Sequence, residues 1–231
     1  MRYDISSPDK KILLFTGNYG SGKSEVAVNY TLFLHALHGN TTIVDLDIIN
    51  PYFRCREASE MLEHKGINVV MPEGELKYAD LPIIVPEIKG IISAPKGYTI
   101  LDVGGEDTGA RVLSYFNETF VSKNIPHEFF LVINRNRPFT SDFNGVKNMV
   151  GLIERSAKLK VTGLVANTHI LDDTDIDSIL YGYELSKESS EKLNLPLIFV
   201  TIPDKLLKDA PKDFAAPLLP IRRILNPAWK N

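Results

Sequence analysis

Apolar residues fall along this chain in short continuous runs rather than in strict alternation. Seven runs have strand length, at 11–16, 41–46, 67–71, 98–105, 128–134, 161–167 and 197–202, and most are dense in Ile, Val, Leu and Phe. Between them lie segments with helical spacing at 25–34, 53–65, 108–120, 141–159 and 176–193. Gly39-Asn40 and Gly66 are C-terminal stop signals, and Thr140 or Ser141 is a candidate N-cap. A continuous apolar run marks a strand covered on both faces, and strand–helix alternation marks parallel pairing through crossovers. The pattern predicts an α/β fold: a doubly wound, mostly parallel sheet with helices on both faces. Ligands of such sheets gather at the carboxyl ends of the strands.

The pattern weakens twice. Between 72 and 97, Pro72, Pro82, Pro86 and Pro95 argue against any long regular element. They leave a short helix at 86–92, inside a segment irregular enough to be a functional loop. Beyond Pro203 the tail is again broken by proline. No repeat, low-complexity tract or linker divides the chain, so a single domain over residues 1–231 is expected.

The first strand runs into Gly17-Asn18-Tyr19-Gly20-Ser21-Gly22-Lys23-Ser24, followed by Glu25 and the first helix. Strand, G-x-x-x-x-G-K-S and helix together form the phosphate-binding arrangement of the P-loop. Its glycines let backbone N–H groups close around a polyphosphate without Cβ clashes, and the helix adds unpaired N–H groups and the positive end of its dipole. Lys23 can reach the β- and γ-phosphates, and the Ser24 hydroxyl can ligate Mg²⁺. The chain is therefore expected to bind a nucleoside triphosphate.

Carboxylates stand at two other strand ends. Asp102 precedes Gly104-Gly105, where the acid can hold Mg²⁺ and a glycine amide can approach the γ-phosphate. Asp45 and Asp47 end the second strand; one can join the magnesium shell and the other can orient an attacking water. An Asx-turn pair opening the loop through Pro51 is the plainer alternative for these two.

Composition alters this picture little. Lys and Arg number 26 against 29 Asp and Glu, a net charge of −3 that argues against a general nucleic-acid binder. Cys55 is the only cysteine, so one chain can hold no internal disulfide and no C-x-x-C metal site. A half-buried helix position is expected for Cys55, and no metal other than Mg²⁺. The N-terminus lacks a signal-peptide core and no run is long enough to span a bilayer, which points to the cytoplasm and no stable membrane insertion. Ile221, Leu225 and Trp229 with nearby basic residues lie too close to Pro220 and Pro227 for an amphipathic membrane helix.

The segments GNYGSGKS, DLDIINP, ILDVGGED and GLVANTHI, in this order, resemble successive motifs of the MinD/ParA/CobQ-type P-loop ATPases, a family of the SIMIBI class. The resemblance spans roughly residues 12 to 203, although the motifs after the first are short. It implies ATP and Mg²⁺ at residues 17–25, with Lys23, Asp47 and Asp102 as the catalytic set and Ser24, Asp45 and Asp102 around the metal. It further implies Gly105 at the γ-phosphate, Asn167 at the adenine edge and Pro203 lining the base pocket. The lysine that many members carry as the second residue of the loop is here Asn18. That departure removes its bridging role in a sandwich dimer, so a homodimer stays open. Arg135 or Arg137 can supply a cation instead. After the strand end at Asn167 there is no Asn-Lys-x-Asp segment, which favours ATP over GTP.

Three functions follow from these residues. The first is an ATPase switch whose loops answer to the γ-phosphate, with ATP and ADP as ligands and a protein partner. The second is an ATP-dependent ligase or kinase for a small anionic metabolite met by Arg54, Arg56, Arg135 and Arg137. The third is a nucleotide-responsive binding module with little turnover.

Overall fold

The computed structural model describes residues 5–47, 55–71, 81–211 and 214–225. β1 (Ile12–Thr16) is buried along its whole length and divides its side chains between two cores. Ile12 and Leu14 pack on one face of the sheet, Leu13 and Phe15 on the other, as the two-residue period of a strand requires. Around it run β2 (Thr41–Leu46), β3 (Asn68–Val70), β4 (Tyr98–Val103), β5 (His127–Ile133), β6 (Gly163–Ala166), β7 (Leu197–Pro203) and β8 (Leu218–Ile221). The order is β3-β2-β4-β1-β5-β6-β7-β8, and every neighbouring pair is parallel.

α1 (Lys23–His38) and α2 (Ser59–His64) contribute Val26, Tyr30, Leu34 and Leu62 to the core of Leu13 and Phe15. Phe15 meets Tyr30 and Phe130 edge-on at ring-centroid distances of 5.5 and 5.3 Å. α3 (Leu81–Ser93), α4 (Glu106–Arg111), α5 (Ser114–Ser122) and α6 (Phe143–Ala157) place Ile88, Ile92, Ala110, Phe116, Val146 and Ile153 in the opposite core. α7 (Ile176–Leu193) adds Leu185 to that second core. Helices thus cover both faces, and the doubly wound fold expected from the apolar runs is the one observed.

Several boundaries depart from the expectation. The segment 81–93 is one helix of 13 residues with Pro86 inside it. Pro82 sits in the first turn, where backbone N–H groups lack partners anyway, and Pro86 forfeits one bond that burial of Ile88 and Ile92 offsets. The helix expected at 108–120 is two, α4 and α5. The cap of α6 is Asp142, which accepts from Gly145 N at 2.8 Å, and not Thr140 or Ser141. The proline-broken tail supplies the edge strand β8, which runs from Leu218 to Ile221 and tolerates Pro220 because an edge strand need not donate on its outer side. Cys55 is not half-buried: it opens a tight helical turn (Cys55–Ala58) and is 0% exposed. The loop at 48–51, Arg54, the side chain of Arg56, residues 72–80, Pro227 and Trp229 lie outside the described residues.

One glycine ties a helix to the strand ends. A Cβ on Gly182 of α7 would stand 2.0 Å from Thr168 Oγ1, just past β6, whereas one on Gly90 of α3 would meet nothing within 4 Å among the described residues. In a helix interior alanine ordinarily outranks glycine by about 1 kcal/mol. Gly90→Ala is therefore expected to stabilise the protein by up to about 1 kcal/mol. Gly182→Ala is expected to destabilise it by about 1–3 kcal/mol through overpacking. Urea unfolding of both variants checks this pair of opposite signs.

Candidate functional site

The loop between β1 and α1 turns through left-handed backbone at Gly20 (φ 73°) and Gly22 (φ 79°), conformations that glycine adopts without strain. Its carbonyls are held from outside. Gly20 O accepts from Arg137 Nε at 3.0 Å and from Asn134 Nδ2 at 3.2 Å, and Ser21 O accepts from Asn167 Nδ2 at 2.7 Å. Gly105, after β4, lies directly on the loop: a Cβ there would fall 1.9 Å from Gly17 O. As the first residues of α1, Lys23, Ser24 and Glu25 carry backbone N–H groups with no carbonyl one turn back in the helix.

Beside the loop, parallel register sets Asp45 of β2 directly against Asp102 of β4, so both carboxylates leave the sheet on one face. Asp47 follows β2, its N–H donating to Asp45 Oδ1 at 3.0 Å. Lys23 Nζ lies 2.8 Å from Asp47 Oδ2, both side chains almost fully buried. Burial works against the Lys23 charge, but Asp47, Asp102 and Asp45 outweigh it and hold the ammonium above its ordinary range. Burial, with Asp45 and Asp47 nearby, pushes Asp102 up to about 7 against the opposing pull of Lys23. Both Asp102 oxygens and the Ser24 hydroxyl are buried beside each other and have no other hydrogen-bond partner among the described residues.

A cavity of about 550 Å³ opens beside the loop, lined by Gly22, Lys23, Ser24 and Asn167, with Pro203 and the 221–225 segment on its far side. Asn167 is held at both ends of its amide, donating to Ser21 O and accepting from Thr201 Oγ1 at 2.5 Å. Asn18 is buried and accepts from Tyr19 N at 2.8 Å, while Tyr19 itself is largely exposed. The two candidate cations divide: Arg137 reaches the loop, but Arg135 stacks on the Tyr181 ring at 3.8 Å and donates to Tyr181 O. The structure therefore brings residues 17–25, Asp45, Asp47, Asp102, Gly105, Asn167 and Pro203 into one region and leaves Arg135 facing elsewhere.

Other residues of this region carried no sequence signal. His169 lines the cavity, and burial with Arg137 and Arg223 nearby lowers its imidazole to about 4. The Glu25 carboxyl accepts from Ile224 N at 2.7 Å and Leu225 N at 3.1 Å, strapping the tail to α1. Arg222 pairs with Asp204, and Arg223 NH1 lies 2.6 Å from Asp172 Oδ2. A proline-broken tail gives no period from which such a wall can be read.

No protein-family model matches the chain, and no curated protein matches it in sequence. Solved structures do match in fold. Cell division protein FtsY from Thermotoga maritima aligns with TM-score 0.60 and 18% identity over 88% of this chain and 66% of its own. Signal recognition particle receptor FtsY from Elizabethkingia anophelis, in complex with GDP, aligns with TM-score 0.53 and 17% identity over 89% and 61%. The 54 kDa signal recognition particle protein from Aeropyrum pernix K1, also in complex with GDP, gives 0.54 and 16% over 86% and 43%. The chain thus spans less than two thirds of each of these proteins. At such identity the likeness is one of fold alone, a parallel α/β fold of the P-loop type, and it does not single out the MinD/ParA family that the motifs resemble.

Burial of two acids has a consequence for stability. Asp102 is raised from 3.8 to about 7 and Glu25, chiefly by burial, from 4.5 to about 7. Both hold their protons more tightly folded than unfolded, so their contribution is fully present below about pH 4 and lost as pH rises through about 7. The unfolding midpoint of the nucleotide-free protein is expected to fall between about pH 5 and about pH 8. Asp102→Asn is expected to shrink that fall by roughly one proton's share, read from thermal melts across pH.

Proposed function

We propose that this chain is a Mg²⁺-dependent nucleoside triphosphatase that acts as a nucleotide switch, with ATP as its substrate. The observation that carries the reading is the glycine loop, braced by its carbonyls, beside a buried lysine, serine and aspartate whose polar atoms converge. The donors suit Mg²⁺: the Ser24 hydroxyl and Asp102 carboxylate are hard oxygens with no partner beyond each other among the described residues, and Asp45 is in register beside them. Bound there, Mg²⁺ would neutralise charge on the β- and γ-phosphates.

Residues 17–25 would hold the phosphates through backbone N–H groups. Lys23 would leave Asp47 for the β- and γ-phosphates, a more highly charged partner. Asp47, released, would orient the water for in-line attack, and Gly105, packed on Gly17, would offer its amide to the γ-phosphate. Arg137, already bonded to Gly20 O, would supply a second cation beside the loop, where the bridging lysine is replaced by Asn18.

Base choice rests on the far side of the cavity. Asp172 and Asp204, carboxylates on that side, are engaged by Arg223 and Arg222, which supports adenine over guanine because a guanine edge calls for an available acceptor. Asn167 would contact adenine only by exchanging its bond to Ser21 or to Thr201, and otherwise serves by bracing the loop. GTP is the second reading, favoured by the GDP in two proteins of like fold. The ligase or kinase reading loses support from Arg135, which is turned to Tyr181.

Turnover of purified protein with Mg²⁺, on ATP and GTP in parallel, tests the proposal. Lys23→Ala is expected to weaken ATP binding about 100-fold. Asp47→Ala is expected to lower turnover by about 100-fold or more while binding ATP at least as tightly, because Lys23 no longer has a partner to leave. Normal ATP affinity and turnover in Lys23→Ala would overturn the reading; preference for GTP would overturn the base choice alone. Binding without turnover would favour the low-turnover binding module.

A further inference from the structure

The cation pocket contains a donor that magnesium chemistry does not use. Cys55 Sγ, one carboxylate oxygen of Asp45 and one of Asp102 all lie within 4.8 Å of one another, and all three residues are fully buried. With bonds of about 2.0–2.3 Å, the ligand atoms of a tetrahedral zinc site stand roughly 3.3–3.8 Å apart. Side-chain rotations of about an ångström would close this group on such an ion. The rest of the pocket also calls for a cation. Asp45, Asp47 and Asp102 all stand near the Lys23 ammonium, and among the described residues both Asp102 oxygens and the nearby Ser24 hydroxyl are buried with no partner beyond each other.

We propose that Asp45, Cys55 and Asp102 form a binding site for a thiophilic divalent metal ion of the zinc type, filled in the absence of nucleotide. Hard Mg²⁺ takes oxygen and gains nothing from sulfur, whereas Zn²⁺ and Co²⁺ bind thiolate strongly. The thiol passes its proton to solvent as the metal binds, and the two carboxylates and the Ser24 hydroxyl supply oxygen donors to complete the shell. The site shares Asp45 and Asp102 with the Mg²⁺ position proposed above, so a bound zinc-type ion excludes Mg²⁺ and holds the nucleotide site idle. Metal binding itself does not depend on the nucleotide reading.

The test is a Co²⁺ titration of the full chain, treated with chelator and free of nucleotide, followed by near-ultraviolet absorption. A sulfur-to-cobalt charge-transfer band is expected, saturating at one ion per chain and displaced by Zn²⁺. Because the chain has a single cysteine, the band can arise only at Cys55. It should vanish in Cys55→Ser, and Asp102→Asn should need at least tenfold more Co²⁺ to reach it; the second variant carries the test if the first fails to fold. Absence of the band in the wild-type chain, or its retention at unchanged affinity in Asp102→Asn, would overturn the proposal. ATP binding with Mg²⁺, measured separately, is expected to survive in Cys55→Ser. A cobalt band without ATP binding would sink the nucleotide reading and leave the metal site standing, and the reverse result would do the opposite.

Discussion

Three buried carboxylates gathered around one buried ammonium are the arrangement on which the site depends. Moving a charge out of water is costly unless it finds a partner, and removing one member of a buried pair typically costs about 3–5 kcal/mol. Lys23 and Asp47 satisfy each other at 2.8 Å, and the register of β2 and β4 sets Asp45 and Asp102 side by side next to them. Burial and these neighbouring acids raise Asp102, which favours its protonated form.

Such a pocket works only if the loop beside it keeps its shape, and the fold braces the loop from behind. β5 sends Asn134 and Arg137 to Gly20, β6 sends Asn167 to Ser21, and β4 lays Gly105 on Gly17. Each brace comes from the carboxyl end of a parallel strand, where one all-parallel sheet brings them together. Asn167 is itself held by Thr201 of β7, so four strands converge on eight residues. Preorganisation of this kind lets backbone dipoles act on phosphate charge without rearrangement.

Glu25 links that loop to the tail. Its carboxylate accepts two backbone N–H groups from Ile224 and Leu225, and Asn29, one turn on, exchanges two bonds with the backbone of Arg222. The far wall of the cavity is thereby fastened to the helix that begins at Lys23. Arg222 and Arg223 reach from this strap to Asp204 and Asp172, so the same segment sets the charge that a base would meet.

Local regularities in the sequence carried much of this. Continuous apolar runs bounded by glycine and proline signalled covered parallel strands, and α7 appears at the predicted 176–193 because an 18-residue helical period overrides local ambiguity. GNYGSGKS was legible because its glycines, lysine and serine are contiguous, and Asp45, Asp47 and Asp102 because each ends a strand. What lay beyond reach was whatever depends on distant segments meeting. Prolines let only 86–92 read as a short helix, yet with Ile88 and Ile92 buried in the core the helix runs from Leu81 to Ser93. β8 was hidden because an edge strand with proline has no distinctive pattern. The pairing of Lys23 with Asp47, the strap on Glu25 and the place of Cys55 beside two aspartates are contacts across 10 to 200 residues of chain. The sequence by itself determined which segments become strands and which glycine loop joins β1 to α1, because those follow from neighbours along the chain. Only the tertiary structure decided how the charges are shared among Lys23, Asp45, Asp47 and Asp102, because burial and register, which set their electrostatics, exist only once the strands are side by side.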